Sequence, residues 1–154
     1  MTLEIGQRAP DFEMATDGGD TVSLAGLAGR KVVLYFYPKD DTPGCTREAC
    51  GFRDSHPDFS GLDAIVVGVS RDSVARHDKF KAKYDLPFTL ASDSDGGVCE
   101  SYGTWVEKSM YGRKFMGIER TTFLIDEVGV IRHIWRKVRV NGHVDNVLEA
   151  VGSL

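Results

Sequence analysis

Cys45, Cys50 and Cys99 are the residues of this 154-residue sequence whose type and placement could do chemistry. Cys45 closes the segment Pro38-Lys39-Asp40-Asp41-Thr42-Pro43-Gly44-Cys45, which leaves an apolar run and ends in a Pro-Gly pair, so a helix is expected to open near Cys45. A thiol in a first helical turn faces unpaired amide N–H groups and the positive end of the helix dipole. Both favour the thiolate and draw a thiol pKa from ~8.5 into a range of roughly 3.5 to 7.5. Cys45 is therefore expected to be a nucleophile rather than a packed thiol.

Acidity alone does not make a fast catalyst. A pKa falling from ~8.5 to ~6 raises the thiolate fraction at pH 7 about 30-fold, while a Brønsted slope near 0.4 to 0.5 removes about 10 to 20-fold in nucleophilicity. The net gain is a few-fold. A large acceleration requires donors that stabilise charge on a departing oxygen, which calls for a hydroxyl and a cation beside the sulfur. Thr42 supplies a hydroxyl; it also suits a helix cap, and the two roles are compatible.

Cys45 and Cys50 are spaced C-x4-C, unlike the C-x-x-C of dithiol oxidoreductases. With only Cys99 and the dispersed His56, His77, His133 and His143 remaining, no tetrahedral zinc set is expected. In an unbroken helix, residues five apart have Cα atoms ~8.7 Å apart. A disulfide tolerates about 4.4 to 6.8 Å, so Cys45 and Cys50 pair only where the helix unwinds. Cys99, within Val98 to Tyr102, reads as a packed thiol. A cysteine hydrolase would need a histidine base, and no local pattern places one near Cys45; a non-enzymatic redox sensor is the other alternative.

The elements that must position Cys45 follow from periodicity. Phe12 to Thr16 and Thr21 to Leu24 flank Asp17-Gly18-Gly19-Asp20 and predict an N-terminal hairpin. Lys31 to Tyr37 and Ala64 to Ser70 are β-branched and aromatic runs without clean alternation, as expected of central strands covered on both faces. A helix over Thr46 to Ser55 lies between them, and Ser73 to Tyr84 forms a second crossover helix with a Ser N-cap. Thr89 to Ala91 predicts a short strand and Val98 to Tyr102 a short helix. Trp105 to Met110 and Phe115 to Ile118 flank Tyr111-Gly112-Arg113. Thr121 to Ile125 and Val130 to Trp135 make a late hairpin, and Val144, Val147, Leu148 and Val151 mark a terminal amphipathic helix. Right-handed crossovers make the first unit parallel and the late hairpin adds antiparallel strands. The expected fold is α/β and thioredoxin-like: a central mixed β-sheet flanked by helices, with an N-terminal β-hairpin.

Composition narrows the setting. The length, with 42% apolar and 27% charged residues, suits one globular domain spanning 1–154. The longest apolar run, Val32 to Tyr37, is far short of the roughly 18 residues a membrane span requires. The opening MTLEIGQRAPDF has no secretory pattern, so a cytoplasmic location is expected. A net charge of −4 argues against a nucleic-acid partner, and the cluster Arg132, Arg136, Lys137 and Arg139 reads as a solvated strand end.

At these residues the sequence resembles the peroxiredoxin family, in its bacterioferritin-comigratory or Q-type branch. The resemblance rests on Pro38-x-x-x-Thr42-x-x-Cys45, on Cys50 five residues further, and on GQRAPDF (Gly6 to Phe12), YFYPKDDTPGCTREAC (Tyr35 to Cys50) and RTTFLID (Arg120 to Asp126). It implies a thioredoxin fold, no metal or organic cofactor, and reduction of hydroperoxides with electrons from thioredoxin or a similar dithiol protein. It also implies that Cys45 attacks the peroxide, that Arg120 is the cation beside it, and that Pro38 shields and shapes the pocket. Cys50 would resolve the Cys45 sulfenic acid. The absence of a cysteine from Ser73 to Tyr84, where some family members carry the resolving thiol, favours Cys50. A monomer is the expected state.

Overall fold

A computed structural model describes residues 3–154. The N-terminal hairpin forms from Glu13–Thr16 (β1) and Thr21–Ser23 (β2). The two β-branched runs become neighbouring parallel strands, Lys31–Phe36 (β3) and Ala64–Ser70 (β4), and Thr89–Ser92 (β5) pairs parallel to β4. Among the described residues, Trp105–Met110 (β6) and Arg113–Ile118 (β7) pair only with each other. Thr121–Ile125 (β8) lies antiparallel to β3, and Ile131–Trp135 (β9) follows antiparallel to β8. The main sheet runs β2-β1-β5-β4-β3-β8-β9. This is the mixed, thioredoxin-like sheet that the sequence predicts.

Both faces of the sheet are covered, which is why β3 shows no polar alternation. Val33 and Tyr35 enter one core layer, while Val32, Leu34 and Phe36 enter the other. The first layer packs beneath Pro43–Asp54 (α1), His56–Gly61 (α2), Val74–Tyr84 (α3) and, beyond the short Gly97–Ser101 (α4) of the opposite layer, His143–Gly152 (α5). Strand β7 starts at Arg113, two residues before the expected Phe115, and two helices depart from the sequence reading. The active-site helix starts at Pro43, before Cys45, because proline at a helix start loses no hydrogen bond. For the same reason Pro57 opens α2, a helix the sequence reading leaves out.

Tyr35 and Phe52 hold α1 on the sheet, their rings stacked with centroids 4.7 Å apart. The Tyr35 hydroxyl end lies over Gly68, where an added Cβ would come within 2.8 Å of it. Only glycine leaves room there for that ring.

The loop between β3 and α1 is anchored to α3 and the turn before it. Asp40 accepts hydrogen bonds from the Tyr37 hydroxyl and from His77 Nδ1, the latter at 2.6 Å, while its N–H donates to Asp72. Asp41 takes a positive φ of 60° and its carboxylate accepts from Lys83 Nζ and the Tyr84 hydroxyl. His77 Nε2 faces the Ala91 carbonyl at 3.0 Å, which only accepts, so the doubly protonated ring satisfies both partners and the site favours the imidazolium. Burial pulls its pKa down, but the Asp40 bond and charge outweigh that and raise it above the usual value.

The stability from this pair is therefore complete below the unfolded-state value near 6.5 and is lost as pH rises through the elevated folded value. His77→Asn, which leaves Asp40 buried without a cation, should cost ~3 kcal/mol at pH 6. Urea unfolding of both proteins from pH 6 to 10 checks this: the stability gap should narrow as pH rises. A gap independent of pH would contradict it.

Candidate active site

Cys45 is the third residue of α1 and is 1% exposed. Thr42 is the N-cap by backbone geometry, with φ −95°, and its carbonyl accepts the Thr46 N–H at 2.8 Å. Its side chain does not cap the helix. The Thr42 hydroxyl instead donates to the Lys39 carbonyl at 2.9 Å, which leaves its lone pairs open as acceptors. The capping role that the sequence allowed for this hydroxyl is absent, because the hydroxyl turns back into its own loop.

Arg120, between β7 and β8, reaches Cys45 from the start of the strand that pairs with β3. Its Nη2 donates to Cys45 Sγ at 3.3 Å and its Nη1 donates to Glu48 Oε1 at 2.7 Å. The Val138 N–H, donating to the Arg120 carbonyl at 3.0 Å, holds the backbone behind it. At Gly44 an added Cβ would stand 3.1 Å from Arg120 Nη2, so the residue before the thiol leaves the guanidinium room to lie against the sulfur. One cation thus bridges a sulfur and a carboxylate, both buried.

Glu48 shares the α1 face of Cys45, Ala49 and Phe52 and is fully buried. Burial raises its pKa to about 7, against the lowering effect of Arg120. Its Oε1 has Arg120, but its Oε2 has no hydrogen-bond partner among the described residues and lies 3.8 Å from His143 Nε2. His143, at the start of α5, shares a 2.8 Å hydrogen bond between Nε2 and the Thr122 hydroxyl. Burial, and then the charge of Arg120, lower its pKa to about 4. Lys108 on β6 feels the same cluster: burial and Arg120 lower its pKa, while Cys45 and Glu119 oppose that shift.

The remaining predicted site residues are arranged differently. Pro38 is exposed and contributes to the wall of an open cleft of about 440 Å³, together with Trp105, Lys108, Phe115, Met116 and Ile118. Cys50 is half-buried, and α1 runs unbroken past both cysteines, which puts Cys50 on a different face from Cys45. Cys99 is buried in the opposite core layer, and burial, then Asp93, push its pKa up. Cys45, Cys50 and Cys99 are all unpaired thiols.

Glu48 and His143 were not singled out by sequence reasoning. A charged residue three positions after Cys45, inside an apolar stripe, was the available signal for Glu48; His143 carried none. Asp40, Asp72 and His77 bring their donor atoms together among the described residues, but those atoms are already engaged. Asp40 accepts from Tyr37 and His77, and Asp72 accepts from Ser70, the Asp40 N–H and Arg76. A metal would have to displace them all.

A buried cysteine in the first turn of a helix, fed from a core strand of a thioredoxin-like sheet and contacted by an arginine at the start of the neighbouring strand, defines a peroxiredoxin-type thiol peroxidase. The chain belongs to the AhpC/TSA family, whose model matches residues 5–134. It is 59% identical over 154 residues to a putative peroxiredoxin bcp from Coxiella burnetii, covering 100% of both chains. It is 52% identical to the peroxiredoxin Bcp of Bacillus subtilis, covering 100% of this chain and 98% of that one. Among solved structures, Xanthomonas campestris peroxiredoxin Q superposes with a TM-score of 0.90 at 44% identity, covering 98% of this chain and 96% of the other. A mutant of Xylella fastidiosa PrxQ gives 0.94 at 39% identity, covering 99% and 98%. The protein is a hydroperoxide-reducing enzyme that draws its electrons from a thiol reductant. No helix among the described residues is long and apolar enough to cross a membrane.

Proposed function

We propose that Cys45 is the peroxide-reactive thiolate and Cys50 the resolving thiol of a single peroxiredoxin domain, 1–154. In this reading it acts as a cytoplasmic monomer recycled by thioredoxin or a similar dithiol protein. The observation that carries it is the 3.3 Å contact from Arg120 Nη2 to Cys45 Sγ. A guanidinium cannot accept a proton, so it cannot serve as the base a cysteine hydrolase requires. It can hold negative charge on sulfur and on an oxygen leaving beside it.

The thiolate attacks the terminal oxygen of ROOH. The S–O bond forms as the O–O bond breaks, sulfur supplies the electron pair, the transferred oxygen keeps its hydrogen as Cys45–SOH, and RO⁻ departs and takes a proton from solvent to leave as ROH. Thr42, its own hydrogen on Lys39, accepts from the peroxide O–H and orients it, while Arg120 meets the charge growing on the leaving oxygen. The Cys50 thiol then attacks the sulfenic sulfur, water leaves, and a disulfide forms. Pro38 stands at the lip of the cleft whose Trp105, Phe115 and Ile118 walls suit an organic group R. A solved Xanthomonas campestris relative is described by its alkyl peroxide reduction activity, which supports organic hydroperoxides as substrates.

Resolution requires movement. With α1 unbroken from Pro43 to Asp54, the ~8.7 Å Cα separation of an intact helix exceeds the disulfide range of about 4.4 to 6.8 Å. The turn between Cys45 and Cys50 must open, and the sulfenic acid waits for it. Cys50→Ser should consume one equivalent of peroxide, stall as Cys45 sulfenic acid and overoxidise at lower peroxide than wild type, whereas Cys99→Ser should turn over normally. Turnover assays with a dithiol reductant, together with intact-mass analysis, check both. Normal cycling by Cys50→Ser would remove Cys50 from the mechanism.

A further inference from the structure

We propose that His143 is a positioning residue for the peroxidatic thiol, acting through Glu48: the imidazole controls how much of the Arg120 cation Glu48 withdraws from Cys45. The proposal rests on the reading of Cys45 as the nucleophile. Arg120 donates to both Cys45 Sγ and Glu48 Oε1, so one cation serves two buried acids. The second Glu48 oxygen is fully buried and has no hydrogen-bond partner among the described residues, and His143 Nε2 faces it at 3.8 Å. That nitrogen is held by the Thr122 hydroxyl, which can either accept from Nε2–H or donate to bare Nε2. Either arrangement is hydrogen-bonded, so a proton can be present on or absent from the nitrogen that faces Glu48.

The groups around the pair set the direction. Cys45 on α1, Tyr35 on β3 and Arg120 face Glu48, and the Lys108 ammonium on β6 faces Arg120 and Cys45 from the cleft side. The edges of Phe52 and Trp135 pack against the His143 ring and keep the pair dry. A proton on His143 Nε2, 3.8 Å from Glu48 Oε2, favours the Glu48 carboxylate through space, and that anion competes for Arg120. A protonated Glu48 frees the guanidinium for sulfur. With Glu48 raised to about 7, the competition falls within the working pH range. The charge on Glu48 thus sets how firmly Arg120 is held at Cys45 Sγ across that range.

The test measures iodoacetamide alkylation of Cys45 against pH by peptide mass spectrometry, on reduced wild type, Glu48→Gln, His143→Asn, His143→Gln and the double variant Glu48→Gln/His143→Asn. Wild type should give a curve broader than that of a single proton. Glu48→Gln should narrow it to one proton and move its rising limb about one pH unit to acid, roughly tenfold more alkylation at a given pH on that limb. His143→Asn should move it the same way by less. His143→Gln, which keeps a donor of similar reach, should stay near wild type, and the double variant should match Glu48→Gln alone. A His143→Asn shift that adds in full to that of Glu48→Gln, or a wild-type curve of single-proton width, would overturn the proposal. If Glu48→Gln fails to fold, the His143→Asn and His143→Gln curves decide: coincidence of the two overturns it, and separation sustains it. Because alkylation needs no peroxide, these outcomes are separate from the Cys45→Ser turnover result, on which the nucleophile assignment depends.

Discussion

Cys45→Ser protein should consume no peroxide above the uncatalysed rate, with either hydrogen peroxide or an organic hydroperoxide and with dithiol reductant in excess. Serine keeps the size and the helix position, but its hydroxyl stays protonated near neutral pH and offers no polarisable electron pair to the O–O bond. The site holds no second thiol that could take over. Cys50 lies on another face of α1 and Cys99 is buried in the far core layer. The variant should fold, because a hydroxyl in place of the sulfur still accepts from Arg120. Coupled turnover assays beside thermal unfolding check both halves; wild-type turnover in Cys45→Ser would remove the nucleophile assignment.

Arg120→Met should slow Cys45 oxidation by about 10² to 10³-fold, the loss expected when a donor to a developing oxyanion is removed from a dry site. That exceeds the few-fold effect attributable to thiol acidity, so the size of the loss distinguishes transition-state stabilisation from simple ionisation. Removing the cation also removes the effect that holds the buried Glu48 carboxyl down, so Glu48 takes up a proton and stays neutral rather than leaving an unpaired buried charge. The fold should therefore survive with reduced stability. Stopped-flow oxidation under single-turnover conditions, compared with unfolding midpoints, checks this. A folded Arg120→Met protein oxidised at the wild-type rate would place the catalytic power elsewhere.

The parts of this site that local sequence encodes were legible. The β-branched run of β3, the Pro-Gly pair and a cysteine just after it announce a thiol at a helix start, and the structure puts Cys45 in the first turn of α1. The parallel pairing of β3 with β4 follows from the crossover between two fully buried runs. Arg120 is different. Its contact with Cys45 spans 75 residues of chain, so no spacing announces it and only the family resemblance pointed there. Glu48 was readable as a charge on an apolar stripe, but its partners, Arg120 and His143, arrive from the turn before β8 and from α5. Asp40 and His77 escaped for the same reason: a loop anchored on a helix 37 residues away looks, in sequence, like any polar loop. The β6–β7 hairpin was expected as strands, but its separation from the main sheet depends on which strand edges are already occupied.

The central claim, a nucleophile at Cys45 resolved by Cys50 in the same chain, is tested most directly by treating reduced protein with one equivalent of peroxide and mapping the disulfides by mass spectrometry. The account predicts quantitative formation of an intramolecular Cys45–Cys50 bond, with Cys99 recovered as free thiol. A bond joining Cys45 to Cys99, or an oxidised protein in which Cys45 remains a free thiol, would contradict it.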